Sequence, residues 1–125
     1  MNLLLDTHVV LWWMTSPEEL GETAQEAISN PKNDVFVSAV VGWEIAIKRS
    51  LGKLHAPADL ITVIEQSGFQ TLPIDLRHAL FVEQLPWHHR DPFDRILIAQ
   101  AAIEDRTLVS RDRVLFDYGV PVILA

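Results

Sequence analysis

Near its start the chain runs Asn2-Leu3-Leu4-Leu5 and then meets an acid, Asp6. Consecutive leucines with no polar residue between them do not suit a strand with one wet face, which alternates. They suit a short strand covered on both sides, and such strands occur in parallel sheets packed between helices. The segments downstream fit that frame. Val35-Phe36-Val37, Gln70–Ile74 and Thr107-Leu108-Val109-Ser110 read as further strands. Val120–Leu124 reads as a short edge strand, because Pro121 removes a ladder donor.

Helix signals lie between these runs. Thr7–Met14 has helical character, and Ser16-Pro17 predicts the cap and first turn of a helix that continues through the acid-rich Glu18–Ser29. Ser38 opens a helix to about Leu51, closed by Gly52. Pro57 to about Gln66 and Asp75–Leu85 read as two more. Asp91-Pro92-Phe93-Asp94 joins a capping Asp, a Pro at the first helical position and an acid at the third, and starts a helix to about Glu104. The expected architecture is a three-layer α/β domain, with a central, mostly parallel sheet of four to five strands flanked by helices.

Composition narrows the class. A chain of 125 residues suits one domain, residues 1–125, within the usual range of about 100–150. At 49% hydrophobic it is too apolar for a largely disordered chain. The absence of cysteine removes disulfide frameworks, thiolate zinc sites and Cys nucleophiles. Val9–Met14 falls far short of the roughly 20 residues a membrane span needs. A soluble, cytoplasmic domain with no membrane partner is expected. The net charge of -7 disfavours a broad phosphate-binding face. Its distribution is uneven, however: residues 1–47 carry seven acids and the single base Lys32, while the other nine bases lie between Lys48 and Arg113.

Ligands of open parallel sheets bind at the carboxyl ends of the strands. Asp6 follows the first strand directly and Asp112 lies just past the fourth. Glu44 sits in the second turn of the helix after strand two, and Asp94 in the first turn of the Asp91–Glu104 helix. Crowded carboxylates repel and take up protons unless a cation intervenes. An oxygen-only ligand set favours Mg²⁺ or Mn²⁺ over zinc. Each acid also has a purely structural alternative. Asp6, Asp112 and Asp91 suit helix caps, Asp94 suits the helix dipole, and Glu44 is spaced i,i+4 from Lys48. Gly52-Lys53 lacks the flanking residues of a P-loop, and the kinase-like His89-Arg90-Asp91 has Ile96 where a catalytic-loop Asn belongs.

Four blocks in order resemble the PIN-domain family, and more narrowly the VapC-type toxins of bacterial toxin–antitoxin pairs. They are Leu3-Leu4-Leu5-Asp6-Thr7-His8, Ser38–Ile45, His89–Ala99 and Leu108-Val109-Ser110-Arg111-Asp112. The resemblance spans nearly the whole chain, and Asp91–Ala99 is its most specific block. It implies a Mg²⁺- or Mn²⁺-dependent endoribonuclease with Asp6, Glu44, Asp94 and Asp112 as carboxylates. It also implies an RNA substrate, a homodimer and inhibition by a cognate antitoxin.

In that reading Asp6 is the bridging ligand, Asp94 and Glu44 complete one site, and Asp112 serves a second site or binds through water. Ser110 and Thr7 can hydrogen-bond a carboxylate. Arg90, Arg95, Arg111 and Lys48 are candidates for contacts with RNA phosphates. Trp12 and Trp13, pointing about 100° apart on one helix, are candidates for contact with an antitoxin whose basic, Arg-containing tail reaches the acids. The competing readings are a non-catalytic interaction domain on the same fold and an RNA-processing nuclease outside any toxin–antitoxin pair.

Overall fold

A computed structural model describes residues 1–125. Strand β1 (Asn2–Leu5) is its centre, with Leu3, Leu4 and Leu5 fully buried. β1 pairs in parallel with β2 (Asp34–Ser38) on one side and β4 (Thr107–Ser110) on the other. β3 (Gln70–Leu72) extends the sheet beyond β2, and β5 (Val122–Leu124) beyond β4. All neighbours are parallel, in the order β3-β2-β1-β4-β5. The chain therefore winds one way from β1 to β3 and then crosses back to β4. The order reverses between β1 and β4, and a crevice forms where two neighbouring strands send their chains in opposite directions.

Six α-helices connect the strands: α1 (Thr7–Thr15), α2 (Glu22–Ser29), α3 (Ala39–Ser50), α4 (Leu60–Gln66), α5 (Leu76–Phe81) and α6 (Pro92–Glu104). All but α2 have starts fixed by side-chain oxygens that take up unpaired backbone N–H groups. Asp6 accepts from Val9, Ser38 from Val40, Asp59 from Thr62, Asp75 from Arg77 and His78, and Asp91 from Phe93 and Asp94. The helices bury Val9, Val10, Val41, Ile45, Leu97 and Ile98 against the sheet. Each such side chain contributes roughly 1.5–3 kcal/mol relative to exposure. No helix is long and apolar enough to cross a membrane.

β3 ends two residues before the expected Ile74 and β5 starts two residues after the expected Val120. Three expected helix boundaries also move, each for a local reason. Pro17–Glu19 is a separate 3-10 turn, Ser16 makes no side-chain cap, and α2 begins only after Gly21. The Gln25 amide takes the carbonyls of Pro17 and Leu20, which stabilises that break. α4 starts at Leu60 rather than Pro57, whose carbonyl is taken by the Arg49 guanidinium. The helix expected over Asp75–Leu85 ends at Phe81 and passes into a 3-10 turn, Val82–Gln84.

Arg95 explains that last ending and corrects an expectation. Its guanidinium is buried, at 2% exposure, and donates to the carbonyls of Val82, Leu85, Pro86 and His89. The ring of Trp87 lies 3.9 Å over it. A cation enclosed this way cannot meet an RNA phosphate, so Arg95 leaves the set of candidate RNA contacts. It holds the segment 82–89 against α6. A lysine has one compact ammonium and cannot serve carbonyls spread over a fork. Arg95→Lys should therefore lower unfolding stability by about 2 kcal/mol or more, through carbonyls left unpaired. Urea denaturation measures this, and an unchanged midpoint contradicts it.

Candidate carboxylate centre

The crevice between β1 and β4 opens into a cavity of about 370 Å³ lined by Asp6, His8, Trp12, Asp94, Arg111 and Asp112. Asp6 reaches it because β1 ends there: its N–H donates to the Val109 carbonyl at 3.1 Å, and its side chain turns to cap α1. Ser110, at the end of β4, donates its hydroxyl to the other Asp6 oxygen. The same Ser110 oxygen accepts the Asp112 N–H at 3.0 Å, so one hydroxyl ties the two strand ends together. Asp94 enters from the first turn of α6, set by the Asp91 cap and Pro92.

Glu44 lies in α3 and is buried. One of its oxygens accepts the Thr7 hydroxyl and the other pairs with Lys48. It is not among the residues lining the cavity, yet its charge helps raise the proton affinity of both Asp6 and Asp94. Lys48 is half-exposed, and its ammonium is engaged by Glu44. Arg90 and Arg111 are exposed. Arg111 packs its guanidinium 4.1 Å over Trp12 and reaches Glu19. Trp12 faces the cavity, whereas Trp13 packs on Phe69, ring centroids 5.7 Å apart. Asp91 caps α6.

His89 belongs to the loop pair His88-His89, which the sequence leaves open as a substrate contact or an exposed pair; here it reaches the acids. Its Nε2 lies 2.7 Å from Asp112 and 3.0 Å from Asp94. No periodicity points to it; its only signal is its place two residues before Asp91. A second trio, Asp75, His78 and Glu104, is also close-set. There His78 Nδ1 accepts the Asp75 N–H, and Arg77 pairs with both acids, so the trio joins α5 to α6.

Burial dominates the electrostatics of the cavity. It raises the Asp6 carboxyl above its ordinary value, against the lowering effect of the Ser110 and Val9 hydrogen bonds. Asp94 is pushed up to about 7, first by burial and then by the Asp91 carboxylate, with His89 opposing and Asp6 and Glu44 adding. Acids that retain protons near neutrality are a site in which positive charge is missing. Asp6, Asp94 and Asp112 offer carboxylate oxygens beside the His8 imidazole, and oxygens engaged by one hydrogen bond keep a lone pair. That donor chemistry fits a hard divalent cation.

The fold and this carboxylate-lined switch point define a class. Residues 3–120 match the family model described as PIN domain, and the chain belongs to that family. It is 28% identical over 123 residues to ribonuclease VapC22 of Mycobacterium tuberculosis, covering 96% of this chain and 94% of that protein. Its fold is similar to VapBC2 of Rickettsia felis bound to a promoter DNA fragment, with TM-score 0.75 and 13% identity over 99% of this chain and 98% of the other. DNA-bound VapBC of Salmonella typhimurium gives TM-score 0.71 and 18% identity, with coverages of 98% and 97%.

The Asp94 shift has a consequence for stability. Between its ordinary 3.8 and about 7, the folded chain holds a proton that the unfolded chain has released. Stability without divalent ions should therefore fall as pH rises through that window. Asp94→Asn should flatten the fall and melt higher than wild type at pH 7.5. Added Mn²⁺ should raise the wild-type melting temperature and that of Asp6→Asn much less. Equal shifts for both proteins would contradict a cation site at Asp6.

Proposed function

We propose that this chain is a Mg²⁺- or Mn²⁺-dependent endoribonuclease and the toxin of a toxin–antitoxin pair, with residues 1–125 acting as one catalytic domain. The observation that carries the reading is the convergence of Asp6, Asp94 and Asp112 on one open cavity at the sheet's switch point. The similarity to a ribonuclease over 96% of the chain supports it.

In this reading Asp6 and Asp94 hold the cation, with Glu44 behind them; Asp112 serves a second position or acts through water. The cation supplies Lewis acidity at the phosphodiester and eases deprotonation of the attacking water. The chain's own residues do the rest. Ser110 and Val9 keep the Asp6 carboxylate turned to the cavity. Thr7 and Lys48 hold Glu44 in place. Arg111 lines the cavity and Arg90 is exposed, and in this reading both meet phosphates of the RNA. The products expected are a 5′-phosphate and a 3′-hydroxyl.

Asp6→Asn, Glu44→Gln and Asp94→Asn should each reduce RNA cleavage at least ~100-fold, because each removes charge from the cation's surroundings. Asp91→Asn should cost far less, since Asn caps a helix as well. Cleavage assays on folded variants decide; a dead Asp91→Asn beside an active Asp94→Asn would reverse the two roles.

The antitoxin reading extends to the rim. An Arg from a basic tail could pair bidentately with Asp6 and Asp94 in place of the cation, so inhibition should weaken as Mg²⁺ or Mn²⁺ rises. Trp12, beside the cavity, is the better placed of the two tryptophans to anchor such a tail. Trp12→Ala should weaken the complex by about 2 kcal/mol or more, as loss of an aromatic anchor does. A calorimetric titration with unchanged affinity would move the antitoxin site elsewhere. The reading includes a homodimer, for which Ile61, Leu76 and Leu80 offer exposed apolar surface.

A further inference from the structure

His89 sits on a loop between the Val82–Gln84 turn and α6, yet its position is fixed on all sides. Its backbone N–H donates to the Tyr118 hydroxyl at 2.7 Å, and that hydroxyl donates on to the Pro86 carbonyl at 2.9 Å. Its carbonyl accepts from the buried Arg95 guanidinium at 3.2 Å. Its ring Nδ1 accepts the Asp91 N–H at 3.1 Å. A ring nitrogen that accepts carries a lone pair, which assigns the proton of the neutral ring to Nε2. That Nε2 faces the Asp112 carboxylate at 2.7 Å and Asp94 at 3.0 Å.

Asp112 depends on this contact. Its Oδ1 accepts the Val114 N–H at 3.0 Å, while its Oδ2 meets His89. Asp112 stands on the turn after β4 and Asp94 on α6, and the His89 ring is the side chain that touches both carboxylates. A nitrogen that donates has no lone pair for a cation, so His89 is not a ligand in this arrangement.

We propose that His89 is a positioning residue, which fixes Asp112 opposite Asp94 through its Nε2–H and so sets the spacing of two acids around the cation without binding it. The inference rests on the proposed metal-dependent function and assigns a residue that function does not use. It also gives the Arg95 and Tyr118 contacts a purpose: they hold the loop that presents the ring.

The test compares the full-length wild type with His89→Ala and His89→Gln, since a glutamine amide can donate from nearly the same place. Four quantities are measured: Mn²⁺ affinity by calorimetry, kcat and KM on RNA, and the ring tautomer of wild-type His89 by long-range ¹H–¹⁵N NMR at pH 8. The wild type should show a protonated Nε2 and a bare Nδ1. His89→Ala should weaken Mn²⁺ binding about 10–100-fold, as loss of a residue that orients a ligand does, and should lower kcat more than it raises KM. His89→Gln should recover most of both.

A folded His89→Ala with wild-type Mn²⁺ affinity and kcat overturns the proposal, as does a bare Nε2. A His89→Gln no better than His89→Ala also overturns it. If His89→Ala does not fold, the tautomer and His89→Gln decide between the same outcomes. A wild type that neither binds Mn²⁺ nor cleaves RNA removes the proposed function and this inference together. An active wild type with an indifferent His89→Ala removes this inference alone.

Discussion

Mutual repulsion of carboxylates at the β1/β4 switch point is the constraint around which this molecule is arranged. Asp6 follows the most buried strand, and each acid near it needs a donor to remain in place. Asp6 has the Ser110 hydroxyl and the Val9 N–H; Glu44 has the Thr7 hydroxyl and Lys48; Asp112 has His89 and the Val114 N–H. Asp94 has only His89, and its carboxyl is the one pushed up to about 7. The centre is thus partly compensated by the protein, with the deficit concentrated on the acid that enters from α6. A divalent cation is the complement to that deficit.

The same acids also build the fold. Asp6 and Asp112 each use one oxygen to cap the turn that follows them and turn the other toward a partner at the cavity. Capping and ligation looked like alternatives in the sequence. A carboxylate has two oxygens, so they are compatible, and the backbone that needs the cap aims the free edge of the acid. Asp91 also caps with one oxygen, which accepts two N–H groups of α6, but it does not line the cavity.

Much of the architecture was legible for two reasons: Leu3-Leu4-Leu5 suits a strand buried on both faces within a parallel sheet, and the helix starts at Ser38 and Asp91 are local signals. What sequence reading lost was side-chain direction. Arg95 follows Asp94, but neighbours on a helix point about 100° apart. With Asp94 facing the cavity, Arg95 turns to the carbonyls of segment 82–89, and its basic neighbourhood in the sequence misled. The same rotation separates Trp12 from Trp13. The role of His89 was not legible for a different reason, since its orientation comes from Tyr118 and from Arg95 and Asp91 of the α6 start together, and no short pattern encodes contacts from such separate parts of the chain.

The central claim is that these carboxylates form a divalent-cation site. Crystals grown with MnCl₂ and measured at the manganese absorption edge test it most directly. The account predicts an anomalous peak in the cavity bounded by Asp6, Asp94 and Asp112, lost in Asp6→Asn crystals. A cavity without a peak, or a peak only at Asp75, His78 and Glu104, would contradict it.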